Sequence, residues 1–143
     1  HMIGKLQTNK VKFAVDIFDY IHSVDNLKLD KKISDEVKKR NKKIKVFIQV
    51  NIGNEFQKSG VQIDGLNSFF EECKQFENLD IIGLMCLPPM NDDSDMYFQK
   101  MNILSKQLNL PELSMGMSQD YLSAASNNAS FVRIGTKIFG KRY

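Results

Sequence analysis

The stretch KVFIQVNIGNEFQKSGVQIDGLNSFFEECKQFENLDIIGLMCL, residues 45–87, decides the fold class. It begins with the apolar run of residues 45–50, which shows little alternation with polar residues, as expected for a strand covered on both faces. Residues 65–76 have helical spacing. The large side chains on one side of this helix are Leu66, Phe69, Phe70 and Cys73. Residues 80–87 form a second apolar run, so the order strand, helix, strand predicts a βαβ unit with parallel strands.

The same alternation extends in both directions from this unit. The predicted strands are residues 2–7, 20–25, 45–52, 80–87, 112–116 and 131–135. The predicted helices include residues 9–20, 65–76, 94–108 and 118–126, the last three with N-caps at Asp64, Ser94 and Ser118. The pattern predicts an α/β fold of six βα units in one domain, residues 1–143. Such a domain forms either an open doubly wound sheet or the last six units of an eight-stranded (β/α) barrel.

Charge and composition exclude several kinds of partner. The net charge of +3 is too small to indicate nucleic-acid binding. The basic residues concentrate in residues 27–45, where they alternate with apolar residues at helical spacing, and no aromatic residues lie between them to stack on bases. This segment is therefore interpreted as an amphipathic helix with a solvated outer face.

Cysteine content and hydropathy favour a cytoplasmic protein. Cys73 and Cys86 lie far apart without metal-ligand spacing, which is typical of free thiols in a reducing compartment. No apolar run has the length of a membrane span, and no signal peptide is evident. The acidic cluster near residue 93 lacks the glycine and the distal glutamate of a calcium loop, so we expect no metal site.

Small and polar residues follow the last two predicted strands, where βα proteins bind their ligands. Gly135 allows close approach of the backbone, and Thr136 offers a hydroxyl and an N–H at the start of a short helical turn. Ser114 with the backbone of Met115 can supply the other side of a phosphate site. The spacing is equally compatible with a simple turn.

Arg133 lies inside the apolar run that precedes Gly135. A guanidinium keeps its charge at any ordinary pH, so its burial requires an acceptor. That acceptor is either a ligand in the barrel interior or a carboxylate such as Glu112. His22 lies beside Ser23 and Asp25, but side chains this close on one strand alternate in direction, so we interpret His22 as a structural, hydrogen-bonded residue and predict no catalytic relay.

Six motifs taken together resemble the pyridoxal-phosphate homeostasis protein family, also called the proline synthase co-transcribed homologue family. They are HMIGKLQTNK (1–10), IHSVDN (21–26), FIQVNIGNEFQKSG (47–60), GLMCLPP (83–89), LSMGMSQDY (113–121) and VRIGTKIFGKR (132–142). The motifs follow the order of that family and nearly span the chain. The resemblance implies the barrel fold of the alanine racemase N-terminal domain and a bound pyridoxal 5′-phosphate (PLP).

The resemblance also assigns roles to individual residues. It implies that Ser114, Met115, Gly135 and Thr136 hold the phosphate of PLP and that Arg133 faces the pyridine nitrogen. In the family, the Schiff-base lysine lies on a strand before the IGKLQTNK motif, and no lysine of this chain matches it. The resemblance therefore predicts a partial barrel of about the last six βα units, a fragment without that lysine, which can self-associate through exposed edges.

The function implied by the resemblance is PLP binding in intracellular PLP homeostasis, without a reaction of its own. Two alternatives stay open. One is a PLP-dependent enzyme resembling an amino-acid racemase, which needs a lysine and a second base. The other is a module that binds a different phosphorylated small molecule at the same strand ends.

Overall fold

The computed structural model describes residues 1–141, so residues 142 and 143 of the predicted domain lie outside the described range. Five parallel strands form one sheet in the order β1-β2-β3-β4-β5. The strands are β1 (Tyr20–Val24), β2 (Ile44–Val50), β3 (Leu79–Cys86), β4 (Glu112–Met117) and β5 (Phe131–Arg133). Doubly wound sheets reverse their strand order at a switch point, whereas this sheet follows chain order throughout. The structure therefore selects the partial (β/α) barrel of the two predicted folds.

Helices separate all consecutive strands. They are α1 (Val11–Ile17), α2 (Leu27–Lys39), α3 (Leu66–Cys73), α4 (Ser94–Gln107), α5 (Tyr121–Ser126) and α6 (Thr136–Phe139), with 3-10 turns at Thr8–Lys10 and Ile63–Gly65. The basic segment forms α2, as predicted, and buries Leu29, Ile33 and Val37 at helical spacing. None of the helices within residues 1–141 combines the length and the apolar character that a membrane span requires.

The two faces of the sheet have different compositions. On the outer face, alternate strand residues such as Val46, Ile48 and Met115 pack with the helices in two apolar clusters. The residues between them, including Phe47 and Ser114, point to the opposite side, which we call the inner face. The hydrophobic clusters therefore hold the helices in place and leave the inner face to carry polar groups.

The first predicted strand is reduced to a single bridge between Met2 and Ile21. The backbone pairing of Met2 with Tyr20 and His22 is regular, at 2.8 and 2.9 Å. It ends at Gly4, because the carbonyl of Gly4 accepts a hydrogen bond from the hydroxyl of Ser23 rather than from a backbone N–H. The sheet thus has five strands where the sequence pattern predicts six.

The predicted helix caps are wrong by small shifts along the chain. Asp64 lies within a 3-10 turn, and Asp93, one residue before Ser94, caps α4 by accepting from the N–H of Asp95. Ser118 lies two residues before Asp120, the N-cap residue of α5, and makes no capping hydrogen bond to that helix. Its hydroxyl serves a different part of the molecule, described below.

Candidate functional site

A cleft of about 320 Å³ opens at the carboxyl ends of the strands. Its walls come from residues 3–5, 49–51 and 57–59, together with Met85 and Leu87. This is the end of the sheet at which (β/α) barrels bind their ligands.

The wall formed after β2 is held in shape by Asn51, which is buried. Its side chain accepts from the N–H of Glu55 at 3.0 Å and donates to the carbonyl of the same residue at 2.8 Å. The carboxylate of Glu55 in turn lies 2.6 Å from the ammonium group of Lys58. These contacts fix Lys58 at the rim of the cleft and leave little freedom to the loop.

Arg133 contacts β3, the strand that contributes Met85 to the wall of this cleft. Its guanidinium donates to the hydroxyl of Ser114 at 2.6 Å and to the carbonyl of Cys86 at 2.8 Å. Cys86 lies between Met85 and Leu87, which line the cleft. Burial lowers the pKa of Arg133 from its ordinary value, but a guanidinium stays protonated in proteins. A permanent positive charge is therefore present beside the β3 wall of the cleft.

No carboxylate of residues 1–141 lies within ion-pair distance of Arg133. The ion pair with Glu112, which the sequence left open, is not formed among the described residues. Both acceptors of Arg133 are neutral, and they account for two of its five N–H groups. The charge of the side chain is thus solvated by dipoles and is not cancelled by a partner.

Ser114 and Met115, two of the predicted phosphate contacts, are both enclosed. Neither residue has exposed surface, and Met115 packs in the apolar cluster of the outer face. The hydroxyl of Ser114 is engaged by Arg133 and by Nδ1 of His22, which lies 2.8 Å away. Ser114 is therefore placed to support the guanidinium of Arg133.

Ser118, predicted from the sequence as a helix cap, contacts the loop after β5. Its hydroxyl accepts from the backbone N–H of Gly135 at 3.1 Å and from that of Lys137 at 3.3 Å. The strand β4 ends at Met117, so Ser118 is the first residue beyond it. The turn is tight because the N–H of Met117 donates to the carboxylate of Asp120 at 2.7 Å. Ser118, Gly135, Thr136 and Lys137 form what we call the terminal loop pair.

Gly116, two residues before Ser118 of the terminal loop pair, allows the end of β4 to lie close to α5. Its φ angle is +95°, and a Cβ atom there would lie 2.6 Å from the Cβ of Ala124. Only glycine tolerates both the positive φ angle and the close approach to Ala124 at low cost. By contrast, a Cβ at Gly135 would meet no atom within 4 Å, so the space in front of that residue is open.

The chemistry of the terminal loop pair suits a phosphate group. The hydroxyls of Ser118 and Thr136 lie at the ends of adjacent strands and can each donate a hydrogen bond, while the N–H groups of Gly135 and Lys137 hold the oxygen of Ser118 in place. Charge-assisted hydrogen bonds to anions are the strong ones. The open space at Gly135 admits a ligand without displacing a side chain.

Two nearby titratable groups are held in their neutral forms. Burial and the charge of Arg133 lower the pKa of His22 to about 4. Burial raises the pKa of the Cys86 thiol to about 12. Neither group is therefore charged at neutral pH, and Cys86 is not a thiolate nucleophile. Within residues 1–141, no three His, Cys, Asp or Glu side chains cluster as a metal site would need.

Comparison with known proteins agrees with this architecture. The alanine racemase N-terminal domain family matches residues 2–143. The alanine racemase of Corynebacterium glutamicum superposes with a TM-score of 0.71 at 16% identity, over 96% of this chain and 40% of that one, which shows a common fold. The fold and the matched domain thus define the class as proteins built on the alanine-racemase-type barrel.

More similar relatives narrow this class. The pyridoxal phosphate homeostasis protein of Aquifex aeolicus is 40% identical over 99% of this chain and 66% of its own length. The one from Synechocystis is 36% identical over 99% of this chain and 69% of its own length. PipY of Synechococcus elongatus superposes with a TM-score of 0.90 without PLP and 0.86 with PLP bound, at 31% identity over 96% of this chain and 68% of that one.

The chain belongs to the pyridoxal phosphate homeostasis protein family. It spans about two thirds of the length of the relatives it matches, with 66% and 65% for the first two. The recognition made from the six sequence motifs and the barrel fold that it implied are both confirmed.

Proposed function

We propose that the protein binds PLP at the carboxyl ends of its strands and takes part in maintaining the cytoplasmic PLP pool. One observation carries this proposal. The charged guanidinium of Arg133, held only by neutral acceptors, donates to the strand β3 that lines the cleft, and Arg133 lies two residues before Gly135 of the terminal loop pair. The structure of PipY with PLP bound supports the identity of the ligand.

In this proposal the terminal loop pair holds the phosphate. Ser118 and Thr136 would contribute hydroxyls, and the backbone N–H groups of Gly135 and Lys137, which donate to the oxygen of Ser118, would orient its hydroxyl proton towards the phosphate. This assignment keeps Gly135 and Thr136 of the sequence-based prediction. It replaces Ser114 and Met115 by Ser118, because the two former residues are fully buried.

Arg133 would face the pyridine nitrogen. A fixed positive charge disfavours protonation of a neighbouring base by like-charge repulsion. When bound, PLP supplies an aldehyde and a ring that withdraws electrons, and it withdraws them less when the ring nitrogen is neutral. This environment suits a protein that carries the cofactor, so we propose that the protein has no reaction of its own.

The proposal is tested by calorimetric titration of the 143-residue chain with three compounds. PLP and pyridoxine 5′-phosphate should bind with similar affinity, because the second lacks only the aldehyde. Pyridoxal, which lacks the phosphate, should bind about tenfold more weakly or worse, as expected for lost hydrogen bonds to a charged group. Equal affinity for pyridoxal would overturn the phosphate assignment.

Two further measurements separate the alternatives. Glucose 6-phosphate is the control for a general phosphate site, and binding as tight as that of PLP would favour a module for other phosphorylated molecules. Racemisation of L-alanine in the presence of the protein and PLP should not exceed that of PLP alone. Protein-dependent turnover would instead favour the racemase-like alternative.

A further inference from the structure

Three polar side chains form a continuous buried chain of hydrogen bonds on the inner face. Arg133 donates to the hydroxyl of Ser114 at 2.6 Å, and this hydroxyl lies 2.8 Å from Nδ1 of His22. The exposed fractions of Arg133, Ser114 and His22 are 9%, 0% and 1%. The chain links β5, β4 and β1, which are not all neighbours in the sheet.

The direction of each hydrogen bond follows from the donors and acceptors present. A guanidinium has no acceptor, so Arg133 must donate to Ser114. The hydroxyl proton of Ser114 has a partner only if it points to the other polar contact of Ser114, Nδ1 of His22, which then accepts it. A neutral imidazole carries one proton, which is then on Nε2. In this tautomer the Nε2–H of His22 can donate to Nδ1 of His1, which lies 3.1 Å away.

The ring of His22 cannot turn away from Ser114. It stacks on Phe47 with the ring centres 4.3 Å apart and 20° between the planes. The ring of Phe131 meets it edge-on at 5.8 Å and 80°. Phe47 has no exposed surface, so the stacked pair is enclosed by the inner face. A ring held on two sides presents Nδ1 in one direction only.

We infer that His22 is a positioning residue. Its enclosed ring orients the hydroxyl of Ser114, and this hydroxyl fixes the guanidinium of Arg133 beside the cleft. A buried arginine side chain has several rotamers, and each neutral acceptor removes some of that freedom. The carbonyl of Cys86 fixes one end of the guanidinium, and Ser114 fixes the other. The inference depends on the proposed function for one point only, which is that Arg133 contacts the ligand.

The first test does not involve PLP. In ¹⁵N NMR spectra of the 143-residue chain, His22 should show the pattern of the Nε2–H tautomer. The Nη–H groups of Arg133 that donate to Ser114 and Cys86 should exchange slowly with solvent. His22→Leu and Ser114→Ala should each accelerate this exchange about tenfold or more, because one acceptor is lost or reoriented. The inference is overturned if His22 carries its proton on Nδ1 or if exchange is unchanged in both variants.

The second test measures PLP affinity by calorimetry. His22→Leu and Ser114→Ala should weaken binding about tenfold. His22→Asn should bind within about threefold of the unsubstituted protein, because the asparagine carbonyl can accept from Ser114 where Nδ1 did. Rescue by asparagine distinguishes positioning from a purely steric role. His22→Leu with unchanged affinity would overturn the inference.

Ile48→Ala is the matched control, because Ile48 is fully buried and packs in the apolar cluster of the outer face, opposite the inner face that carries the three polar residues. It should lower stability by loss of packing and leave both PLP affinity and Arg133 exchange unchanged. If the unsubstituted protein binds no PLP, the proposed function fails, while the NMR measurements still decide the role of His22. A loss of Arg133 protection in Ile48→Ala equal to that in His22→Leu would contradict a specific role.

Discussion

Arg133 on the inner face and Asp30 in the helix layer are both buried and ionisable, but their surroundings differ. Arg133 has two good neutral acceptors and a charge that it cannot lose. Asp30 is fully buried on α2, and one of its oxygens receives the thiol of Cys73 at 3.1 Å while the other has no partner in the described structure. Burial raises the pKa of Asp30 to about 7.

The difference shows how to distinguish a functional buried charge from a structural one. A carboxyl group without partners can be neutralised by a proton, so Asp30 has no need of a ligand. A guanidinium cannot be neutralised, so the fold must provide dipoles for it, and its remaining N–H groups stay available. Solvation by Ser114 and Cys86 is therefore what makes Arg133 useful at the cleft.

The largest expected effect concerns Asp30. Its pKa is about 7 in the folded protein and near 3.8 in the unfolded chain, so the folded state binds the extra proton between these values. The contribution of Asp30 to stability is then constant below about pH 4, falls as the pH rises towards 7, and stays low above it. The loss amounts to at most about 4 kcal/mol. His22, whose pKa is lowered from 6.5 to about 4, contributes with the opposite sign and stabilises the fold as the pH rises through this range. In urea denaturation, Asp30→Asn should therefore remove the fall and leave a protein that gains stability from pH 5 to 6.5.

Asp80→Asn is the control for that measurement, because Asp80 is exposed at the start of β3. It should leave the pH dependence of unfolding as it was. A protein with Asp30→Asn that still loses stability from pH 5 to 8 would show that another group is responsible.

The next largest effect concerns Arg133, the buried charge that was compared with Asp30. Arg133→Met removes the permanent charge and keeps the length of the side chain, so PLP affinity should fall about hundredfold. The free energy of unfolding should change little or rise, because a buried charge has been replaced by an apolar group. Calorimetric titration and urea denaturation of the same samples check both parts. A variant that loses stability and keeps affinity would reverse the roles given to Arg133 and Asp30.

Much of the fold could be predicted from the sequence, because strand and helix patterns are local. The run of residues 80–87 and the amphipathic spacing of α2 were sufficient to place both elements. The contact between His22 and Ser114 was not predictable, since it joins residues 92 positions apart and depends on strand register. The sequence could indicate only that His22 is hydrogen-bonded, which the structure confirms.

The sequence did not predict Ser118 as a residue of the proposed phosphate site, for a related reason. The pattern ended β4 at residue 116, whereas the strand continues to Met117. When the end of a strand is placed one residue too early, the side chains of the sheet and those of the loop beyond it are assigned wrongly. The signal was present in the repeated serines of LSMGMS: Ser114 precedes the glycine and Ser118 follows it, and only the second can leave the sheet.

A smaller effect separates these two serines. Ser118→Ala should weaken binding of PLP about tenfold and leave binding of pyridoxal unchanged, because only the phosphate contact is lost. Ser114→Ala should weaken binding of both compounds through Arg133. The ratio of the two affinities therefore identifies which serine serves the phosphate. Equal losses for PLP and pyridoxal in Ser118→Ala would remove Ser118 from the phosphate site.

The smallest expected effect concerns Glu112, the carboxylate that could have neutralised Arg133. Glu112 opens β4 beside Gly83, while Arg133 pairs with Met117 at the opposite end of that strand. Glu112→Gln should therefore change PLP affinity and the free energy of unfolding by less than about 0.5 kcal/mol, as for other surface substitutions. A larger loss of affinity would mean that Arg133 is held by a charge in solution. In that case Arg133 would not be solvated by neutral dipoles alone, and the contrast drawn with Asp30 would be wrong.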